Sequence, residues 1–286
     1  MVYWNKGSDE MRSDCHIHMV LDGVQWKNAI ARHAQGPDLD FIRRALDSYR
    51  AQGYTYLRDG GDRWSVSKAA RDMAAQYGII YKTPLAPLCK KGHYGAFIGE
   101  AYEDLKDFAA LVRQHRENGA DFIKIMISGL MDFDRFGVLT EEGLAPAEIK
   151  ALIHIAHEEG FAVMAHANGA RTVEAAAEAG VDSVEHGAYL DADALAAMEE
   201  HGTVWVPTIS TVGNLRGKGR FDEDAVVRIF ESAAENLSRF RGYVAVGSDA
   251  GAWAVGHGCD TEEALLLQWC SRERLEDGNQ RIRARF

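Results

Sequence analysis

The chain has 286 residues, room for one large domain or two small ones, and 47% apolar residues suffice for a buried core. Its 43 acidic against 32 basic side chains give a formal charge of −11, which argues against nucleic acid or an anionic membrane as main partner. No apolar run approaches the roughly 20 residues of a membrane span, and the leading "MVYWNKGSDEMR" lacks the apolar core of a secretory signal. Cys15, Cys89, Cys259 and Cys270 are scattered without CxxC pairing, as expected of reduced thiols in a cytoplasmic protein.

In chain order, the strand candidates are "DCHIHMV", "YTYLRD", "GIIYKTPLA", "DFIKIMIS", "FAVMAHA", "DSVEHG", "TVWVPTI" and "GYVAVGSDA". Helical segments with apolar spacing of three and four fall between them, at 38–52, 65–77, 104–118, 145–160, 170–180, 191–202 and 222–240. Most begin near Asp, Ser or Pro and end near Gly or Asn, the residues that start and stop helices. Eight strands separated by helices favour an α/β fold of the closed (β/α)8 TIM barrel type. The open doubly wound alternative usually carries a glycine-rich phosphate loop after its first strand. Here that strand runs into "HMVLDGVQW", which has none. The expected layout is a single barrel domain over 1–286.

A barrel places its reactive groups at the C-terminal ends of several strands. His16 and His18 lie two apart, so a strand points both to one face, about 7 Å apart along the chain, with Cys15 and Ile17 facing the helices. Alone the pair is a weak metal signal. His166, His186 and Asp249 each end a later apolar run and are followed by small residues, and that recurrence strengthens it.

Lys124 alternates with Phe122 and Met126 on one strand face. It either snorkels to the strand end or sits in the interior beside the histidines, because parallel barrel strands are buried on both faces. Burial lowers a lysine's pKa, and a neutral amine can add carbon dioxide to become an anionic carbamate. His93 and His257, in glycine-containing loops after the third and eighth strands, are candidate substrate contacts. His154 and His157 share a helix face outside the barrel, and His33, His115 and His201 are expected to be solvated.

Taken together, "DCHIHMVLDG", "DFIKIMISG", "VMAHANG", "SVEHGAYLDADAL" and "VGSDAG" resemble the amidohydrolase superfamily. The nearest likeness is to its imidazolonepropionase-related and Xaa-Pro dipeptidase (prolidase-like) group. "GYTYLRDGGD", "GHYG" and "MEEHGTVWVPT" are similar to that group's second-strand, glycine-histidine loop and seventh-strand regions, and the likeness covers roughly residues 13–270.

The resemblance implies two divalent metal ions, zinc first, with manganese, iron or nickel as the other options. His16, His18 and Asp249 would bind one ion, His166 and His186 the other, and a carboxylated Lys124 would bridge them. It also implies hydrolysis of an amide, peptide or cyclic amide C–N bond by a metal-bound hydroxide, with Asp249 as general base and acid and His93 stabilising the oxyanion. Tyr189, Arg58, Lys91 and Arg135 are further candidates for holding a small-molecule substrate. The group's accessory β-sandwich is expected to be absent or vestigial, and "SGLMDFDRFG" stands where the group often has consecutive glycines. A deaminase or lactonase on the same barrel, and a metal-binding protein that has lost catalysis, are the competing readings. Lys124 counts against the deaminase. Self-association, common among barrels, is compatible with the chain.

Overall fold

The computed structural model describes residues 11–286. Segment 1–10, and with it most of the stretch read as carrying no secretory signal, lies outside the described residues. Strands β1 (Arg12–Ile17), β2 (Tyr54–Asp59) and β3 (Ile80–Lys82) pair in parallel in that order. Then come β4 (Leu88–Lys90), β5 (Glu100–Tyr102), β6 (Ile123–Met126), β7 (Val163–Ala167), β8 (Ser183–His186) and β9 (Val204–Val206). These form a second parallel sheet in the order β5-β4-β6-β7-β8-β9.

Parallel neighbours need long crossovers, and amphipathic helices supply them. All seven expected helices are present, at Leu39–Ala51, Val66–Ala74, Leu105–Glu117, Pro146–Glu158, Ala170–Glu178, Ala192–His201 and Glu223–Arg239. Asp38, Asp104, Asp191 and Asp222 cap four of them by accepting from first-turn amides. Helices Trp26–Arg32, Ile209–Gly213, Thr261–Leu266 and Arg272–Arg285 are additional to the expected set.

The two sheets are arcs of one (β/α)8 barrel, joined at two irregular seams. Of the third expected strand, "GIIYKTPLA", only β3 is regular and pairs with β2, whereas β4, just past its end, pairs with β6. Pro84 and Pro87 remove ladder donors in between, and Leu85 adopts a positive φ of 70°.

The eighth, "GYVAVGSDA", forms no regular strand but closes the ring through bridges from Val244 to Trp205 and from Ala250 to Ile17. Cys15 N donates to Val246 O at 2.7 Å, Asp249 N to His16 O at 2.7 Å and His18 N to Ala250 O at 2.7 Å. Regular pairing fails because side chains take intervening amides: Val246 N donates to Asn279 Oδ1 at 2.9 Å and Ser248 N to Asp14 Oδ1 at 2.9 Å.

The core has two tiers. Apolar faces of strands and helices pack in an outer layer that includes Ile17, Leu46 and Leu57. Tyr56, Phe122, Met164, Val206 and Phe286 form the barrel floor. Cys15 joins this floor cluster and faces a helix as expected, its Sγ donating to Asn279 Oδ1 of helix Arg272–Arg285 at 3.7 Å. Among the described residues every strand pairs in parallel, no cysteine is disulfide-bonded, and no helix is long and apolar enough to cross a membrane.

Candidate metal centre

His16 and His18 leave β1 at its C-terminal end and meet Asp249 from the ring-closing segment. His16 Nε2 lies 3.2 Å from His18 Nε2, and Asp249 Oδ1 lies 3.6 and 3.3 Å from these two nitrogens. Lys124 Nζ, from β6, is 3.1 Å from His16 Nε2. The His186 ring stands 5.1 Å from that of His16, and the His166 ring 4.6 Å from that of His186, centroid to centroid. Five of these six side chains are buried, and His186 is partly exposed, the most open of the set.

Backbone strain marks the same strand ends. His186, Tyr189, Thr208 and Asp249 hold positive φ values of 68°, 58°, 50° and 58°, conformations that cost a non-glycine residue about 1–3 kcal/mol each. Hydrogen bonds tie down Asp249, His186 and Thr208. Asp249 N is fixed by His16 O, and His186 Nδ1 lies 2.7 Å from Thr208 Oγ1. His166 Nε2 faces Gly129 O at 3.2 Å, and Asn168 Nδ2 donates to the same carbonyl at 3.0 Å.

The electrostatics suit a cation. Burial, reinforced by the Lys124 charge, holds His16 and His18 well below the ordinary imidazole range. Burial and the neighbouring imidazoles do the same for His186, and His166 is pushed down to about 3 by burial and Lys124. Burial pushes Lys124 down to about 8 against the attraction of Glu185 and Asp249, and pushes Asp249 up to about 7 against Lys124.

Two imidazole nitrogens therefore crowd a buried Asp249 Oδ1 that receives no hydrogen bond from the described residues. An unpartnered buried carboxylate oxygen beside two imidazole nitrogens suits a cation. Two ligands on one tetrahedral zinc ion, with bonds of ~2.0–2.1 Å, stand about 3.3 Å apart. The ligand atoms of His16, His18 and Asp249 lie within 4.8 Å of one another and fit such an ion.

Several sequence candidates sit elsewhere. Arg58, expected near an active-face loop, is fully buried inside the barrel, where Cys15 O, Ser183 Oγ and Glu185 accept its hydrogen bonds. His257 is packed against Phe41 and Tyr49, with Nδ1 3.1 Å from Tyr49 Oη and Nε2 2.9 Å from Leu21 O, so neither nitrogen is left for a substrate. His93 pairs with Glu141, and it is the neighbouring Tyr94 ring that lies 4.8 Å from the His166 ring. Tyr189 is half-buried with its ring edge-on to Phe136. Lys91 and Arg135 are exposed and paired with Glu103 and Asp132.

His33 and His115 are buried and not solvated. His33 Nδ1 accepts from Asp38 N, and His115 pairs with Glu100. Sequence reasoning missed Glu185, Thr208, Asn168 and Tyr94. For Glu185 a signal existed: Ser183 and Glu185 alternate with Val184, so a carboxylate had to face the interior.

The amidohydrolase family model matches residues 42–263. This chain belongs to the amidohydrolase family. The matched span starts after His16, the penultimate residue of β1, and His18, just beyond that strand's end. Ochratoxinase of Aspergillus niger is 26% identical over 232 residues, 70% of this chain and 47% of its own length. An uncharacterized protein of Mycobacterium bovis is 35% identical over 133 residues, 42% of this chain and 35% of its own. The amidohydrolase thus spans about half the length, or less, of these relatives. A crystal structure of a Xaa-Pro dipeptidase with methionine bound in its active site superposes with a TM-score of 0.76 at 22% identity, covering 96% of this chain and 75% of that one. The A. niger ochratoxinase structure gives 0.70 at 21%, covering 96% and 69%. These structural likenesses establish the shared fold.

Proposed function

We propose that this amidohydrolase cleaves the amide C–N bond of a small molecule at a centre for two divalent metal ions, zinc first, within one barrel domain spanning 1–286. The convergence of His16 Nε2, His18 Nε2 and Asp249 Oδ1 at 3.2–3.6 Å is the observation that carries this reading. His16, His18 and Asp249 would hold one ion and His166 and His186 the other, with a carbamate on Lys124 serving both. When bound, such ions polarise a carbonyl group and acidify a water molecule.

Lys124 supports the carbamate through its own chemistry. With a pKa near 8, about a tenth of the amine is neutral at pH 7. A neutral amine adds carbon dioxide by forming an N–C bond and releasing one proton, which leaves an anionic carboxylate on nitrogen. Asp249 suits proton transfer. Its buried carboxylate stands among the candidate ligands, where it could take a proton from the attacking water and return it to the leaving nitrogen. Thr211 Oγ1, 3.5 Å from Oδ2, steadies that side chain. Partly exposed His186 marks the side from which a substrate would approach, past Tyr94 and Tyr189.

The names of the Xaa-Pro dipeptidase and ochratoxinase neighbours support dipeptides and ochratoxin as the first substrates to test, with N-acyl amino acids beside them. The charge and the unpaired cysteines support a cytoplasmic setting. The test is a screen of these compounds, with cyclic amides and lactones alongside, using zinc- or manganese-loaded protein with bicarbonate present. Amide hydrolysis should vanish on chelation and return with metal. Lys124→Ala and Asp249→Ala should each abolish it, and Lys124→Ala should also lower the bound metal. Full activity in either variant would sink this site.

A further inference from the structure

Beneath the centre lies a buried charged chain that neither a metal ligand nor a substrate contact accounts for. The Arg58 guanidinium is fully buried, 4.4 Å from the Phe286 ring centroid, and it spends its donors inward. Nε donates to Cys15 O at 2.6 Å, one terminal nitrogen to Ser183 Oγ at 2.9 Å and the other to Glu185 Oε1 at 2.8 Å. Ser183 Oγ donates to the same Oε1 at 2.5 Å. Glu185 Oε2 is then left with one neighbour, His16 Nδ1 at 2.7 Å, and both of those groups are fully buried.

We propose that Arg58 and Glu185 are positioning residues that lock His16 as the Nδ1–H tautomer, so that Nε2 presents its lone pair to the centre. This inference rests on the metal-centre reading given above. Its logic is one of donors and acceptors. A carboxylate accepts only, so His16 Nδ1 must donate to it and Nε2 is left bare. Arg58 donates only, so it holds Glu185 as the acceptor and aims Oε2 at the imidazole. Its bond to Cys15 O anchors the same unit to the residue that precedes His16. A ligand histidine held in this way by an outer carboxylate typically loses 10–100-fold in metal affinity when that partner is altered.

Glu185→Gln tests the point with almost no change of shape. The amide oxygen must turn to Arg58, which forces its NH2 group on His16 Nδ1. The ring then has to accept there, and its proton moves to Nε2, the atom meant for the metal. In the double variant Arg58→Met/Glu185→Gln the amide is free to rotate and offer its oxygen to His16 again.

The readouts are nitrogen NMR of the His16 ring in metal-free protein and zinc affinity against a competing chelator. The expected results are Nδ1–H in the wild type, Nε2–H in Glu185→Gln with 10–100-fold weaker zinc binding, and recovery of most of that loss in the double variant. A wild-type ring protonated at Nε2 overturns the proposal, and that reading needs no variant to fold. Unchanged tautomer and affinity in Glu185→Gln overturn it as well, and absence of any recovery removes Arg58 from it. A wild type that shows Nδ1–H but takes up no zinc would uphold this tautomer and sink the metal reading, so the two failures are told apart.

Discussion

Gly60 ends the second barrel strand against the centre, and a single methyl group there probes how tightly the centre is built. A Cβ on Gly60 would stand 2.4 Å from His18 Cε1, 2.8 Å from His18 Nδ1 and 2.8 Å from Lys124 Nζ. Its φ is not in the left-handed region, so alanine meets a steric obstacle alone. Ordinary carbon contacts begin near 3.5 Å, so the His18 ring must retreat by about 1 Å. Lys124 can swing its amine aside, but His18 is hemmed in by His16 at 3.2 Å and Asp249 at 3.3 Å.

Overpacking of this kind costs about 1–3 kcal/mol, and a 1 Å misplacement of a reacting group costs on the order of 100-fold in rate. Gly60→Ala should therefore lower urea-unfolding stability of the metal-free protein by that amount, weaken zinc binding and cut turnover about 100-fold. Gly256→Ala, where a Cβ meets nothing within 4 Å, is the neutral control. A Gly60→Ala protein that matches the control in stability, zinc affinity and rate would refute the packed centre.

Thr208→Val removes the hydroxyl that fixes His186 Nδ1, and zinc competition should show about 10–100-fold weaker binding at the second ion. Thr208→Ser should restore it, and equal affinity in the valine variant would count against the His186 assignment. The metal-free protein should also carry a signature of His166. Its folded pKa, about 3, lies below the unfolded value of 6.5, so its contribution is present above pH 6.5 and is lost as pH falls toward 3. Relative to His166→Asn, the wild type should lose up to about 1.4 kcal/mol per pH unit below 6.5, and about 5 kcal/mol in all. Parallel stability-versus-pH curves from urea unfolding would contradict that. His257→Phe should alter stability and leave the Michaelis constant unchanged, as befits a packing residue; a raised Michaelis constant would restore its substrate role.

Strand and helix periodicity was legible because each segment's pattern is local. "DFIKIMIS" puts Lys124 on the face opposite three isoleucines, and the fold keeps it there, buried. The break after β3 is written in Pro84 and Pro87, but the pairing of β3 and β4 to two different neighbours is a property of the ring. The eighth strand reads as an ordinary apolar run, and it becomes irregular only because Asn279 and Asp14 accept its amides from distant parts of the chain. Arg58 looked like a substrate anchor near the active-face loops for the same reason. Its partner Glu185 lies 127 positions away, and without that partner a buried guanidinium would be prohibitive.

The side chain–backbone clasp between Asp14 and Ser248 joins positions 234 residues apart. A ribosome adds ~5–20 residues per second, so a nascent chain carries His16 and His18 for roughly 10 to 50 seconds before Asp249 exists to meet them. Through that interval β1 has one open edge, the kind of exposed ladder that recruits foreign strands. Local helix and strand pairs can form as they emerge, but this contact cannot, and such long-range closures are the slow ones. Completion of the ring and completion of the centre are therefore one event, which waits until Asp249 has been made.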